Sequence, residues 1–297
     1  MASLKDIKRQ IRAVKQTQKL TKAMNMVAAA KLRAIHTRTE HFRAYAEEHH
    51  RLLEAIGRQT QELEHPVLRH NEEAHRVKIL AISSDRGLCG SFNTNLCHLL
   101  DKKIKAWHGQ DLETSLFLVG RKLKEYYSRR PVEISHALTG VLGHFDYHLA
   151  QEITNTLIEE FLSGTIREVW ILTTKYMGMA RQEPVLMPLL PLLPLLPATT
   201  EESPAHFVGY DGYLVEPDPV TLFNHLIPRS LTIAVFQALL ESITSENAAR
   251  MLAMDNASKN CKELTESLTT VYNKLRHAAV TNELLDIVNG SEALAAA

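Results

Sequence analysis

Apolar side chains near the start of the chain follow a seven-residue pattern. One heptad position is filled by Leu4, Ile11, Gln18, Asn25, Leu32, Thr39, Ala46 and Leu53, and a second by Ile7, Val14, Thr21, Ala28, Ile35, Phe42, His49 and Ile56. No glycine or proline occurs from Ala2 to Ile56. A heptad run of this length without helix breakers predicts a coiled-coil helix.

The end of the chain repeats this pattern. The run from Arg229 to Asn289 also lacks glycine and proline. Its predicted seam comprises Phe236, Leu240, Ile243, Asn247, Arg250, Met254, Ala257, Cys261, Leu264, Leu268, Val271, Leu275 and Ala278. Two heptad helices at opposite ends of one chain can pair antiparallel, with the middle of the chain inserted between them.

The middle of the chain alternates between strand and helix patterns. Strands are predicted at 77–83, 114–120, 132–138 and 167–176, and helices at about 93–107, 121–130 and 146–164. Such alternation indicates a Rossmann-like α/β domain with a mostly parallel sheet. The predicted organisation is therefore an N-terminal coiled-coil helix (1–60), an inserted α/β domain (61–228) and a C-terminal coiled-coil helix (229–297).

We expect no stretch of the chain to reach the apolar length of a membrane span; the nearest candidate, LMPLLPLLPLLPA at residues 186–198, is too short. Its prolines exclude a helix, so we expect an extended or polyproline II-like surface connector. The alternative is a proline motif that a partner module binds.

Composition narrows the function classes. The formal net charge is zero, and the three cysteines form no CxxC pair. These features predict no attraction of the whole chain to nucleic acid or membrane, a reducing compartment and no structural zinc. Residues 1–22 are highly charged and lack an apolar core, so we expect no secretory signal. The helical pattern begins almost at Met1, so we expect no transit peptide either.

The sequence SSDRGLCGSFNTN, residues 83–95, resembles an active-site loop, because glycines flank a cysteine directly after a predicted strand. It lacks the lysine of a phosphate loop and the spacing of a dinucleotide fingerprint, and no histidine stands nearby to activate Cys89. The favoured interpretation is structural: Gly87 and Gly90 permit a tight turn, Cys89 packs as a small apolar residue, and Asn93 or Thr94 caps the next helix.

Two histidine clusters receive similar interpretations. His144 and His148 are spaced to share a metal if both are helical, but no further ligand completes a familiar set. We expect surface or capping roles for them, and a solvated coil face for residues 47–51.

The N-terminal helix also carries features that a free coiled coil does not need. Its first 39 residues contain one acidic residue, Asp6, and ten basic ones: Lys5, Lys8, Arg9, Arg12, Lys15, Lys19, Lys22, Lys31, Arg33 and Arg38. The seam of this helix is polar at Gln18, Thr21 and Asn25. In the same region, other faces of the helix carry the apolar residues Met24, Met26 and Val27. We expect burial by a protein partner with acidic surfaces. For the apolar residues, the alternative is packing against the chain's own domain. For the basic residues, the alternatives are a solvated face, an anionic membrane and a nucleic acid, the last disfavoured because this stretch contains no aromatic residue for base stacking.

Segments along nearly the whole chain resemble one family. They are IKRQIRAVKQTQKLTKAMNMVAAAKLR, SSDRGLCGSFN, YLVEPDP (213–219), SENAARMLAMDNAS (245–258) and VYNKLRHAAVTNELLDIVNGSEAL (271–294). Together they resemble the gamma subunit of F-type ATP synthase.

The resemblance implies a non-catalytic rotor shaft without a cofactor. Its paired helices enter a ring of three alpha and three beta subunits, and its α/β domain sits on the c-ring beside epsilon, at the cytoplasmic face of a bacterial inner membrane. Proton flow would drive rotation. The residues that resemble contacts to beta-subunit loops are Lys19, Met24, Glu246, Arg250, Arg276 and Thr281. Glu216 resembles the contact to the c-ring, and residues from about Leu284 onward resemble the shaft tip in an apolar bearing.

The chain departs from the family pattern at His277, where glutamine is expected, and at Val215, where an aromatic residue is expected. No inserted cysteine pair is present, so no thiol switch is predicted. Two rival functions are an enzyme with coiled-coil arms, which would require an active site, and a coiled-coil tether that does not rotate.

Overall fold

The computed structural model describes residues 3–59, 65–192 and 218–295. The chain forms two compact units, one of Met1–Ala29 with Arg250–Ala297 and one of Ala30–Ala249. Here they are called the helical unit and the α/β unit. Each unit contains part of both terminal helices, so the units cut across the predicted three-part division, which stays a prediction.

The first long helix, α1, spans Leu4–Gln59. Every predicted seam position on it is buried or half-buried, which confirms the heptad pattern. In the helical unit, the Asn25 side-chain amide donates to the Met251 carbonyl oxygen at 2.8 Å. In the α/β unit, the Thr39 and Thr244 hydroxyls lie 3.3 Å apart. In the same unit, His49 Nδ1 lies 3.1 Å from the Ser230 hydroxyl. From the Thr39–Thr244 pair to the His49–Ser230 pair the residue number rises on α1 and falls on α5, so the predicted antiparallel pairing is confirmed.

The second long helix, α5, spans Pro219–Ala295 and begins ten residues before the predicted start at Arg229. Pro228 lies inside it, although proline normally interrupts a helix. Phe223, Ile227 and Leu231 are fully buried at helical spacing around this proline. Their burial favours a continuous helix despite the missing backbone hydrogen bond.

The predicted seam of α5 is correct up to Cys261. Beyond it, Leu268 and Leu275 are half-buried as predicted, but the predictions for Leu264, Val271 and Ala278 are wrong, because these residues are exposed. Leu264 and Val271 are 49% and 42% exposed. The half-buried positions are Thr265, Leu268, Tyr272, Leu275 and Ala279. An α-helix drifts by about 20° per heptad, so after several heptads the next residue along faces the partner helix.

The α/β unit contains a five-stranded sheet within the described residues. Its elements are β1 (Arg76–Ile82), α2 (Phe92–His108), β2 (Glu113–Val119), α3 (Arg121–Tyr127), β3 (Glu133–Leu138), α4 (Tyr147–Leu162), β4 (Glu168–Tyr176) and β5 (Gln182–Leu190). The strand order is β3-β2-β1-β4-β5. The first four strands pair in parallel, as predicted from the alternation of strands and helices.

The fifth strand was not predicted. It pairs antiparallel with β4 and carries Pro184 and Pro188, which obscure a strand pattern. It lies at the sheet edge, where proline is tolerated because one side of the strand forms no ladder. Residues 186–190 of the predicted surface connector are therefore extended, but Leu189 and Leu190 are buried, so their surface placement was wrong. Residues 193–198 lie outside the described residues.

Both faces of the sheet are covered. Val77, Ile79 and Ala81 of β1 pack in one core with Leu96 and Leu100 of α2. The alternate β1 residues Leu80 and Ile82 pack in the other core with α4 and with parts of α1 and α5. Successive side chains of β1 point to opposite faces of the sheet, and both faces are buried. This is why β1 appears in the sequence as a nearly unbroken apolar run.

One 18-residue stretch within Val220–Asn289 is apolar enough for a membrane span, contrary to the expectation that no stretch would be. Because 61% of this stretch is buried within the structure, we interpret it as part of a core helix.

Candidate functional site

The loop after β1 turns the chain from strand to helix. Gly90 has φ of 58°, and Leu88, rather than Gly87, holds the other left-handed position at 61°. The Cys89 side chain is packed in the core, as predicted. The capping prediction was wrong, because Ser91 occupies the cap position of α2 and Asn93 turns back to the loop. The Asn93 carboxamide oxygen accepts from the Ser84 backbone N–H at 3.2 Å.

The carboxyl edge of the sheet, where α/β folds bind ligands, is occupied here by the chain's own polar groups. Asp85 Oδ1 accepts the backbone N–H groups of Arg121 at 3.1 Å and Gly140 at 2.8 Å. The Ser83 hydroxyl accepts the Leu123 N–H at 3.2 Å. Asp85 therefore fills the position at the start of α3 where a bound anion would otherwise lie.

The chemistry of the neighbouring side chains agrees with a structural loop. Burial raises the pKa of the Cys97 thiol to about 11, with a smaller contribution from the Asp101 carboxylate, so this thiol is not activated. His144 precedes α4 and does not share a helical face with His148, which lies 3.4 Å from Glu152. Among the described residues no group of three or more His, Cys, Asp or Glu side chains could hold a metal.

The interpretation of residues 47–51 as a solvated face was wrong at one position. His49 is only 8% exposed, and its Nδ1 lies 3.1 Å from the Ser230 hydroxyl. The heptad frame already places His49 on the seam, and that signal was the better guide. The other four residues of the segment are exposed.

A basic surface follows α1. All ten basic residues among the first 39 residues of the chain are exposed. The single acidic residue of this stretch, Asp6, forms an ion pair with Arg9 at 3.5 Å. Within the helical unit, Lys8, Arg12, Lys15 and Lys19 recur every three or four residues and therefore lie on one face. Like charges at this spacing repel one another, so the face favours an acidic partner.

Large apolar side chains are exposed beside this basic surface. On α1 they are Leu20, Met26 and Val27, each about 60% exposed. Toward the C-terminal end of α5, the exposed large apolar residues include Val280, Leu284, Leu285, Ile287 and Val288. Clusters of exposed large apolar side chains indicate an interaction surface.

The residues singled out by resemblance differ in exposure. Three of them, Lys19, Arg276 and Thr281, are exposed, and Met24 and Arg250 are half-buried. Glu246 is buried, with only 9% of its surface exposed. Glu216 and Val215 lie outside the described residues. The sequence reasoning missed Leu20, which is 62% exposed. Its off-seam position between Lys19 and Thr21 was the available signal.

Comparisons with known proteins agree on one family. A family model described as ATP synthase matches residues 3–294. The ATP synthase gamma chain of Syntrophobacter fumaroxidans is 41% identical over 295 residues and that of Desulfosudis oleivorans 41% over 299 residues, with 99% of each chain covered.

Solved structures share the fold. A chain of the Euglena gracilis mitochondrial ATP synthase OSCP/F1/c-ring structure aligns with a TM-score of 0.65 at 18% identity, covering 98% of this chain and 94% of that one. A chain of the Tetrahymena thermophila mitochondrial ATP synthase central stalk and c-ring structure aligns with a TM-score of 0.57 at 23% identity, covering 80% and 99%. Since both the sequence match and the fold extend over nearly its whole length, the chain belongs to the ATP synthase gamma chain family.

Proposed function

We propose that this chain is the central shaft of a rotary ATP synthase. The helical unit enters the ring of alpha and beta subunits, with one gamma chain for three of each. The shaft transmits rotation of the ion-driven c-ring to the nucleotide sites on alpha and beta, and it supplies no catalytic residue of its own.

The observation that carries this proposal is the combination of charge and apolar exposure on the helical unit. A free antiparallel pair needs apolar residues only along its seam. Here Leu20, Met26 and Val27 are exposed off the seam beside a row of basic side chains. An enclosing partner with apolar walls and acidic loops would satisfy both features.

The exposed contact residues fit this role best. Lys19 and Arg276 offer charge, and Thr281 is exposed, although its hydroxyl donates to the His277 carbonyl oxygen at 2.9 Å. Glu246 has little surface, so a contact through it requires rearrangement of its surroundings. The exposed apolar residues Leu284, Leu285, Ile287 and Val288 would lie in an apolar bearing at the shaft tip.

The α/β unit would face the membrane side of the complex. We assign it contacts with epsilon and, through Glu216, with the c-ring loops. The chain would then be peripheral on the cytoplasmic face of a bacterial inner membrane, in keeping with the bacterial relatives. Its association with the membrane is through the complex.

The test is co-expression of the matching alpha and beta subunits with and without this chain. We expect a purified complex whose mass corresponds to three alpha, three beta and one gamma, with ATP hydrolysis strongly raised by gamma. If the chain stays alone, or hydrolyses a nucleotide unaided, the shaft proposal fails and the loop at 83–95 must be reconsidered as an active site.

A charge variant sharpens this test. Replacing Lys8, Arg12, Lys15 and Lys19 by glutamine should weaken assembly or hydrolysis, and the deficit should shrink at low ionic strength where the remaining charges act over longer range. Replacing Lys102, Lys103 and Lys105 of α2 by glutamine removes basic charge from the other unit and serves as the control. Equal effects of both variants would show that net charge, and not this surface, matters. Rotation of a bead attached to assembled gamma would distinguish a shaft from a tether.

A further inference from the structure

The part of α5 that follows Cys261 carries two apolar stripes, and α1 uses only one of them. The stripe in use consists of Thr265, Tyr272 and Ala279, which are half-buried. The other consists of Leu264, Val271 and Ala278, which are exposed and continue the heptad frame of the preceding seam. Both stripes flank the same central row of Cys261, Leu268 and Leu275.

The unused stripe is the more apolar of the two. The unused stripe contains leucine and valine, whereas the stripe in use contains threonine and tyrosine. The Thr265 hydroxyl donates to the Cys261 carbonyl oxygen at 2.8 Å, so its burial leaves no unpaired polar group on the side chain. Side-chain hydrophobicity alone therefore does not select the pairing seen here.

The geometry that separates the stripes is small. Residues three and four positions after a central-row residue lie on opposite sides of it, because each residue advances the helix by about 100°. Turning α5 about its own axis by roughly 50° would exchange one stripe for the other while keeping the central row in contact. The heptad stripe requires a left-handed supercoil, and the shift to the next residue accompanies straighter helices.

We propose that the Cys261–Ala279 segment of α5 is a two-state element that pairs with α1 through either stripe. Supercoiling favours the stripe of Leu264 and Val271, and straightening favours that of Thr265 and Tyr272. The proposal concerns the chain itself and does not require the shaft function. In a shaft that carries torque, this element would convert twist into an axial rotation of α5.

Disulfide trapping in the full-length chain tests the proposal. The Asn25 side chain donates to the Met251 carbonyl oxygen. Counting fourteen residues toward the N-terminus of α1 and fourteen toward the C-terminus of α5 from this contact brings Ile11 to about the level of Thr265. In a Cys261→Ala background, the cysteine pairs Ile11→Cys with Thr265→Cys and Ile11→Cys with Leu264→Cys trap the two states. Ile11→Cys with Glu263→Cys is the control, since Glu263 is exposed and lies on the far side of α5 from Cys261.

We expect both trapping pairs to form disulfides, with the Leu264 pair at least about tenfold faster than the Glu263 control. A second experiment distinguishes a change of stripe from simple fraying of the helix pair. It changes a residue one heptad away from the trapped cysteines and measures the ratio of the two disulfides. Tyr272→Ser weakens the stripe in use and should raise the ratio of the Leu264 to the Thr265 disulfide by about threefold or more, whereas Val271→Ser should lower it.

Two results would overturn the proposal. One is a Leu264 pair that forms no faster than the Glu263 control. The other is a disulfide ratio that Tyr272→Ser and Val271→Ser leave unchanged, since a single pairing state cannot couple positions a heptad apart. Both serines lie near the helix surface, and circular dichroism of each variant reports whether the helices remain intact.

Discussion

His49 makes the pairing of α1 with α5 in the α/β unit sensitive to acid. Its ring is almost fully buried, Nδ1 lies 3.1 Å from the Ser230 hydroxyl, and the buried Nε2 has no hydrogen-bond partner within the described structure. Burial lowers the pKa of His49, and the positive charge of Arg229 and the neighbouring His50 lower it further. Folding therefore favours the neutral ring.

The sign of the pH effect follows from this shift. The folded pKa lies below the ordinary value of about 6.5, so between these two values the unfolded chain binds the extra proton. The stability from neutral His49 is fully present above about pH 6.5 and is lost as the pH falls toward the folded pKa. One proton gives a slope of at most about 1.4 kcal/mol per pH unit.

Urea unfolding at several pH values between 7.5 and 5.5, followed by circular dichroism, measures this slope. His49→Gln keeps a polar side chain but cannot titrate, so its stability should fall less steeply with acid than that of the wild type. His144→Gln, at an exposed histidine, is the matched control and should keep the wild-type slope. Identical slopes for wild type and His49→Gln would refute the reasoning, because the buried ring would then contribute nothing to the pH dependence.

Three further substitutions test the packing of the α/β unit, each read as a change in thermal stability. Gly120→Ala should cost more than about 2 kcal/mol, because its φ is +103° and the new Cβ would lie 2.3 Å from the Ser83 carbonyl oxygen; Gly87→Ala, with open space around it, should be nearly neutral. Glu160→Gln should cost about 2–3 kcal/mol by leaving the ammonium of Lys78, which pairs with it at 2.5 Å, buried without its counter-charge, and adding Lys78→Met should recover much of the loss. Asp85→Ala should cost about 1–3 kcal/mol, since two backbone N–H groups lose their acceptor, and an unchanged melting temperature would contradict the structural role of that loop.

Much of the architecture could be predicted because it depends on local periodicity. The heptad positions of α1 report which side chains face another helix, and all of them are at least half-buried. The four parallel strands could be predicted because strands buried on both faces read as apolar runs. The fifth strand could not, because an edge strand tolerates proline and so lacks that pattern.

The candidate site divides in the same way. The basic surface and the apolar residues beside it are visible in the sequence, since charge and heptad phase are local properties. The acceptors in the 83–95 loop are different: Asp85 accepts from residues that follow β2 and β3, which are far away in sequence. Only the parallel sheet brings these segments to one edge.

The sequence by itself determined that two heptad helices flank an α/β segment along the chain. It also determined that the first helix carries basic and apolar side chains off its heptad seam. The tertiary structure decided which of two neighbouring stripes on α5 meets α1, because helical drift accumulates over several heptads and no single heptad reveals it. It also decided that the glycine loop satisfies its own polar groups, because hydrogen bonds between distant segments depend on how the strands are ordered in the sheet.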